Sequence, residues 1–535
     1  MGALTAWSAW KTLLGEEGVL DAVDAQAKFG VNTIGSHRRL LGALQPQDTA
    51  QIVSIVHIAN RFRIPIYPIA TGRNWGYGSS LPAVDDCALL DLSRLNRILD
   101  FNPQLGYVTL EPGVTQQQLH EYIMNNRLEF MVPTTGAGPT CSIVGNALEK
   151  GFGITPYEDH FGAVLSLKAV LADGAIYQST LHEMGGHLVD KIFKWKLGPV
   201  VEGLFAQGNF GIVTQATVAL ARKPENVTQF IAFIDEQYFE EAVLSIARIK
   251  QKLGSVVGGV NLMNKRRLLA MVELRSVWKL HDTMAETQVR DLAEKRKLPD
   301  WAIYGGIYGP HELVEGARAY IKRELKSYAT RVLFFSRRPL NLLQRVVRAL
   351  PLESLRRTVE GMHQGLNILE GVPSQVALPL AYLKNPLPPQ KADDLSPDRD
   401  RCGIIWFSPL LPIDPAITRD FTQEVTRICL AIGIDPLITL TAISERCFDS
   451  TIPIVFDSNS EAERDKARLC YDSLIELSRE FGVFPYRMDI EAVRKYFDVK
   501  DSTSLQMIQK IKQALDPNNI LAPGRYSKLF ERMTQ

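Results

Sequence analysis

The 535-residue chain has no excess of charge of either sign: 60 basic residues stand against 59 acidic, for a net charge of +1. That balance leaves no electrostatic footprint for nucleic acid and favours a small-molecule partner. Cysteine is sparse. The six, at 87, 141, 402, 429, 447 and 470, form no CxxC pair, so neither a zinc site nor a disulfide framework is signalled, and a reducing, cytoplasmic setting is expected. No stretch offers about 18 uninterrupted apolar residues, which argues against a membrane-spanning helix. The first 18 residues lack the basic start of a secretory signal, and the myristoylation pattern is missed at Ala6. No internal repeat occurs. The first 80 residues also lack GxGxxG, the fingerprint of a Rossmann dinucleotide fold, so that fold is disfavoured.

What is present is glycine in clusters, within a chain long enough for two large domains. Residues 46–62 place Ile52, Val53, Val56 and Ile58 at helical spacing behind the cap-capable Asp48 and Thr49. A short β-branched run from Ile64 to Ala70 then delivers the chain into Thr71–Ser80, a loop with three glycines, two serines and an arginine, suited to wrapping amides and a cation around a pyrophosphate. Further strands are expected at 88–92, 107–112 and 163–171, a helix at 115–124 and a hairpin turn at Gly174. Between Val132 and His160 lie Gly136, Gly138, Gly145, Gly151 and Gly153, with Cys141 and the acidic pair Glu158 and Asp159. So much glycine is costly to order and suggests backbone passing close to something bulky, such as a bound cofactor. From about Lys223 the texture changes to long charged helices alternating with strands, as suits a second domain. Residues 386–401 are polar and proline-rich, the composition of a surface loop.

Seven motifs in order, TGRNWGYG (71–78), LEPGVTQQQLHEYI (110–123), SIVGNALEKGFGITPYEDH (142–160), VLADG (170–174), LFAQGNFGIVT (204–214), PYR (485–487) and LDPNNILAPGRY (515–526), resemble the vanillyl-alcohol oxidase and p-cresol methylhydroxylase family of flavoproteins. The likeness is dense over 60–215 and the last fifty residues and thin between. It implies an α+β fold: an FAD domain built from both chain ends (1–222 and 484–535), and a central cap domain (223–483) with an antiparallel sheet. It implies FAD held by Thr71, Gly72, Arg73, Asn74, Gly76, Gly78, Ser79, Pro133, Gly138, Cys141, Ser142, Gly145, Asn146, Gly151, Gly153, Tyr157, Ile212 and Arg525. Tyr77, Tyr486 and Arg487 match the family's three groups that bind a phenol as phenolate, and a cation with two phenolic donors does lower a phenol's pKa. The bland alternative has Tyr77 packing in its loop and Tyr486 and Arg487 paired with a nearby carboxylate. Asp159 matches the family's catalytic acid beside the flavin, against the alternative of a capping residue; His160 is expected as a buried hydrogen-bonding histidine.

The implied reaction is hydride removal from the benzylic carbon of a para-substituted phenol, with oxygen or an acceptor protein taking the electrons and a homodimer as the assembly. An alcohol or sugar oxidase of the same fold, or a flavin-binding protein without turnover, remains the alternative. The family's usual flavin-linking His or Tyr precedes an aromatic-aromatic-Ser/Ala-Pro step, here Trp406-Phe407-Ser408-Pro409, yet residues 401–405 contain neither. Cys141, at the spacing of the linking cysteine in berberine-bridge-type relatives, is one candidate for a covalent bond to FAD; an unlinked cysteine near FAD, or Cys402 as linker, are the others. Residues 331–357 combine seven arginines with leucine and valine, as either a basic interfacial helix or a cap helix with arginines snorkelling over its own core.

Overall fold

The computed structural model describes residues 2–272, 283–348, 353–387, 389–391 and 394–527. Local signals explain the first elements. Ile52, Ile55, Val56 and Ala59 are fully buried along one face of the helix Thr49–Phe62, Asp48 accepts the Gln51 N–H at 2.8 Å to cap it, and the left-handed Arg63 ends it. The strand Ile66–Ile69 follows and runs parallel to Cys87–Asp91, which in turn runs parallel to Leu40–Leu44; Val19–Leu20 completes a four-stranded sheet.

The chain's last segment closes that sheet's open edge. Ile66 N–H donates to Ile520 O at 2.8 Å and Ala522 N–H to Ile66 O at 2.9 Å. A fully buried ion pair holds this segment in place: Lys512 Nζ lies 2.5 Å from Asp516 and also donates to the carbonyls of Asn209 and Leu521. Every donor of the ammonium is thereby satisfied, which makes burial of the charge tolerable. A second, antiparallel sheet of five strands spans Ile98 to Ala219 and contains the hairpin of Val164–Val170 with Ile176–Tyr177, turned at the left-handed Gly174.

The third sheet has nine antiparallel strands drawn from Asn226 to Pro485. One face carries Phe230, Leu262, Ile303, Leu440 and Phe448, all fully buried beneath the helices Phe239–Leu253, His311–Leu325, Pro415–Ile432 and Glu461–Glu480. Each such side chain contributes about 2 kcal/mol by leaving water. Because successive side chains alternate between faces, the residues between them, Asp449, Thr441, Asn261 and Tyr304 among them, belong to the opposite face.

The arginine-rich region divides into the strand Arg331–Ser336 and the helices Arg337–Arg348 and Glu353–Leu369, with 349–352 outside the described residues. Leu340 and Val347 pack into a core with Leu366 and Leu369, and Arg337 pairs with Glu370 at 2.6 Å, while Leu342 and Val346 stay exposed. Among the described residues, no helix is long and apolar enough to cross a membrane.

Candidate active site

The loop after Ile69 is folded tightly by its glycines. Gly72 and Gly76 both have φ near +70°, and a Cβ at Gly76 would sit 2.2 Å from the Trp406 ring. Asn74 O accepts the N–H groups of Tyr77 at 3.1 Å and Ser79 at 3.0 Å. The loop 386–401 corrects the expectation drawn from its composition: its second half is not a surface loop. Asp398 is buried, accepting from Trp75 Nε1 and Ser79 Oγ at 2.6 Å each, and Ser396 Oγ accepts from Arg73 at 3.1 Å. The polar composition serves pairing with the glycine loop rather than solvation. Burial pushes the Asp398 carboxyl up to about 7, against the pull of its Ser79, Arg73 and Trp75 partners.

A second loop lies against the first. Ser142 N–H donates to Thr71 Oγ1 at 3.2 Å, and Ser142 Oγ caps the short helix Ile143–Leu148 by accepting from Gly145. Gly145 is packed so close that a Cβ would stand 3.0 Å from that of Ala70. Gly138 is left-handed, and Pro133 is half-buried at the loop's start. Asn146 Oδ1 lies 2.6 Å from His160 Nδ1, while a Cβ on Gly151 would strike the Asn146 side chain and one on Gly153 would come 2.7 Å from His160 Nε2. His160 is thus the buried hydrogen-bonding histidine expected, with burial drawing its pKa down to about 4. Tyr157 is exposed, and Ile212 sits in the core beneath the first sheet.

Tyr77, Tyr486 and Arg487 come together although the chain separates them by some four hundred residues. The Arg487 guanidinium carbon lies 4.2 Å from the Tyr77 ring centre, its Nη2 donates to Asn74 Oδ1, and its Nε is 3.5 Å from Glu149. Tyr77 Oη is 3.0 Å from Ser408 Oγ, while Tyr486 N–H donates to Ser408 O at 3.3 Å. Ser408 therefore registers the two tyrosines. Arg525 pairs with Glu149 and donates to Tyr67 Oη at 2.7 Å, extending the cluster toward the chain's end.

One residue that no motif marked completes the group. Asp449 is buried beside Tyr486 and Arg487, with its Oδ1 lacking any hydrogen-bond partner. Burial pushes it up to about 7, resisted by the Tyr486 hydroxyl and the Arg487 charge. Burial together with the Asp449 charge raises Tyr486 well above the ordinary phenol range. Asp159 is not brought to this cluster: it is exposed, and its carboxylate accepts the Gly162 N–H at 2.7 Å, the capping alternative. Glu158 instead bonds Lys250 of the nine-stranded unit at 2.6 Å, and burial pushes it up to about 7. Cys141 and Cys402 are both buried, and burial raises the Cys141 thiol.

Residues 41–180 match the FAD binding domain family, and residues 454–526 match the C-terminal domain of FAD linked oxidases. The chain is 31% identical over 530 residues to 1'-carboxy-chondrochloren decarboxylase of Chondromyces crocatus, covering 97% of this chain and 96% of that one. It is 26% identical to the 4-cresol dehydrogenase [hydroxylating] flavoprotein subunit of Pseudomonas putida, over 96% and 94% of the two chains. The chain belongs to the vanillyl-alcohol oxidase and p-cresol methylhydroxylase family. Solved structures agree on the fold of this family member: p-cresol methylhydroxylase with substrate bound superposes with a TM-score of 0.87 at 23% identity, covering 99% and 97% of the two chains. The 4-ethylphenol oxidase of Gulosibacter chungangensis gives 0.88 at 24%, over 99% and 98%. It is an FAD-linked oxidoreductase of the vanillyl-alcohol oxidase type, α+β, with antiparallel sheets. Its residues fit FAD: left-handed Gly72, Gly76 and Gly78 shape the first loop and Gly138 the second, and Arg73 Nε is buried there without a partner, as a donor awaiting a polar ligand is.

Proposed function

We propose that this enzyme removes hydride from the benzylic carbon of a para-substituted phenol. The observation that carries the proposal is the clustering of Arg487, Tyr77 and Tyr486, with Arg487 over the Tyr77 ring, both tyrosines bonded to Ser408 and the buried Asp449 beside Tyr486 and Arg487. FAD, when bound by 71–80, 133–153 and Arg525, supplies the hydride acceptor. The protein's own work is on the phenol. Tyr486 Oη takes the substrate's hydroxyl proton as it gives its own to Asp449, and the Arg487 cation holds the phenolate that results. The phenolate oxygen then releases electron density through the ring to the para position, which eases departure of hydride from the benzylic carbon attached there. Residues 1–222 and 484–535 would hold the cofactor and 223–483 would roof the substrate, with a homodimer as the working assembly. Asp159, exposed as it is, keeps at most a role at the flavin's edge, and Asp449 takes the proton-accepting part.

The test is an anaerobic panel followed by the oxidised-flavin absorption band. 4-Ethylphenol and 4-hydroxybenzyl alcohol are expected to bleach it, whereas simple alcohols and aldoses are not. Bleaching by an aldose alone favours the sugar-oxidase alternative, and no bleaching at all favours binding without turnover. Readmitted air restores the band rapidly in an oxidase and slowly where a protein acceptor is needed. A second reading comes from the relative whose name denotes a decarboxylase: with a carboxyl on the carbon next to the benzylic one, hydride would leave the benzylic carbon with the phenolate's help, and carbon dioxide would leave the neighbouring carbon, its electron pair forming the double bond and restoring the phenolate.

We further propose that Cys141 does not link FAD covalently. The Cys141 thiol is raised by burial, and a thiol held protonated is a poor nucleophile toward the ring. Acid precipitation is expected to leave yellow FAD in the supernatant. Flavin that stays with the pellet, and is freed by Cys141→Ser, would show the linkage to exist.

A further inference from the structure

The face of the nine-stranded sheet that bears Asp449 carries a polar row. Thr441 pairs in register with Asp449 on one side and Asn261 on the other, and Asn261 pairs with Tyr304. Thr441 Oγ1 donates to Asn261 Oδ1 at 2.6 Å. These three neighbours of Asp449 keep some accessible surface, while Leu440, Leu262 and Ile303 beside them are sealed under the helices. The row lies on the face that bears Asp449, covered at its far end where Tyr304 Oη donates to Gly365 O at 3.1 Å.

Two residues further along the strands, the next row holds Thr451, Thr439 and Met263. Arg267, from the first turn of the helix Lys265–Val272, reaches this row, and its Nε donates to Thr439 Oγ1 at 3.3 Å. Among the described residues it has no carboxylate partner. The contrast with its neighbour is direct: Arg266 is paired with Asp435 at 2.8 Å and Glu286 at 2.9 Å. Crowding by protein atoms, with no compensating charge, draws the Arg267 guanidinium down to about 10. A cation held in this way is unfavourable unless an anion from elsewhere completes it, and the planar fork of arginine is suited to a carboxylate.

Adjacent rows on one face are about 7 Å apart. Arg267 thus stands from Asp449 at roughly the span of an aromatic ring with a short side chain. We infer that Arg267, with Thr439, forms a carboxylate-binding subsite, so that the substrate is a phenol whose para side chain ends in a carboxylate. The inference rests on the phenol reading above, but its test separates the two.

The holoenzyme is titrated with 3-(4-hydroxyphenyl)propionate, 4-propylphenol and 3-phenylpropionate, following the perturbation of the flavin spectrum. The wild type is expected to prefer the phenolic acid to 4-propylphenol by about tenfold or more, and R267M to weaken both acids by at least about thirtyfold while leaving 4-propylphenol within twofold. R267K keeps the charge and loses the fork, so a smaller loss, still confined to the acids, is expected. It reports in place of R267M should that variant fail to retain FAD. Equal weakening of all three probes, or none, overturns the subsite. Binding of both phenols without preference for the acid overturns it while the phenol reading stands. Arg267-dependent binding of 3-phenylpropionate, with 4-propylphenol not binding, supports the subsite and removes the phenol.

Discussion

Arg487→Met is expected to slow anaerobic flavin reduction by a para-alkylphenol about a thousandfold, the scale of losing an electrostatic donor aimed at developing charge. Arg487 is the fixed cation of the phenol cluster, 4.2 Å from the Tyr77 ring centre and held between Asn74 and Glu149. Three effects add in the same direction. The bound phenol loses the charge that favours its ionised form. Tyr77 loses a cation over its ring, an interaction of about 1 kcal/mol. Asp449, whose carboxyl Arg487 pulls down, would rise above its present value of about 7 and stay protonated at neutral pH. Stopped-flow reduction and the spectroscopic pKa of the bound phenol both report the change. Arg487→Lys restores charge but not the two-pronged geometry, so it is expected to recover part of the rate only. A rate within threefold of wild type in Arg487→Met would remove the phenolate mechanism.

Asp449→Asn is expected to lower the same rate by about a hundredfold to a thousandfold, as loss of a general base does, and to abolish a rise in rate through pH 7. The rise follows from the sign of the shift: below about pH 7 the carboxyl holds its proton and cannot accept another. The same shift acts on stability in the opposite sense. The folded value of about 7 lies above the unfolded value of 3.8, so between these the folded state binds more protons. Stability from this group is full below about pH 4 and is lost as pH rises through about 7. Asparagine removes that loss, and melting at pH 8 is expected to rise by the equivalent of about 2 kcal/mol or more, with little gain at pH 4. Lower activity with higher stability at pH 8 marks a residue kept for chemistry. An unchanged rate with unchanged melting would assign Asp449 no part in it.

The helix 49–62, the hairpin at Gly174 and both glycine loops were legible because cap, periodicity and left-handed turns are local properties of a few adjacent residues. Tyr77, Tyr486 and Arg487 were legible through motifs. Ser408 lay in a quoted motif without a visible role, and only its two contacts, to the Tyr77 hydroxyl and the Tyr486 amide, supply one. Asp449 and Arg267 carried no signal. Their meaning comes from strand register, which sets Asp449 opposite Thr441 and Thr439 within reach of Arg267 across strands distant in sequence. The polar loop 386–401 misled for a related reason: composition records that Asp398 prefers partners to apolar surroundings, not whether those partners are water or Trp75 and Ser79.

By itself, then, the sequence determined the family, the cofactor class and the two glycine loops, all of which depend on residues a few positions apart. Tertiary structure alone decided which carboxylate lies beside Tyr486 and Arg487, since Asp159 and Asp449 differ little as acids and greatly in burial. It also decided that Arg266 is ion-paired while Arg267, among the described residues, has no carboxylate partner, because burial and pairing are properties of the packed chain.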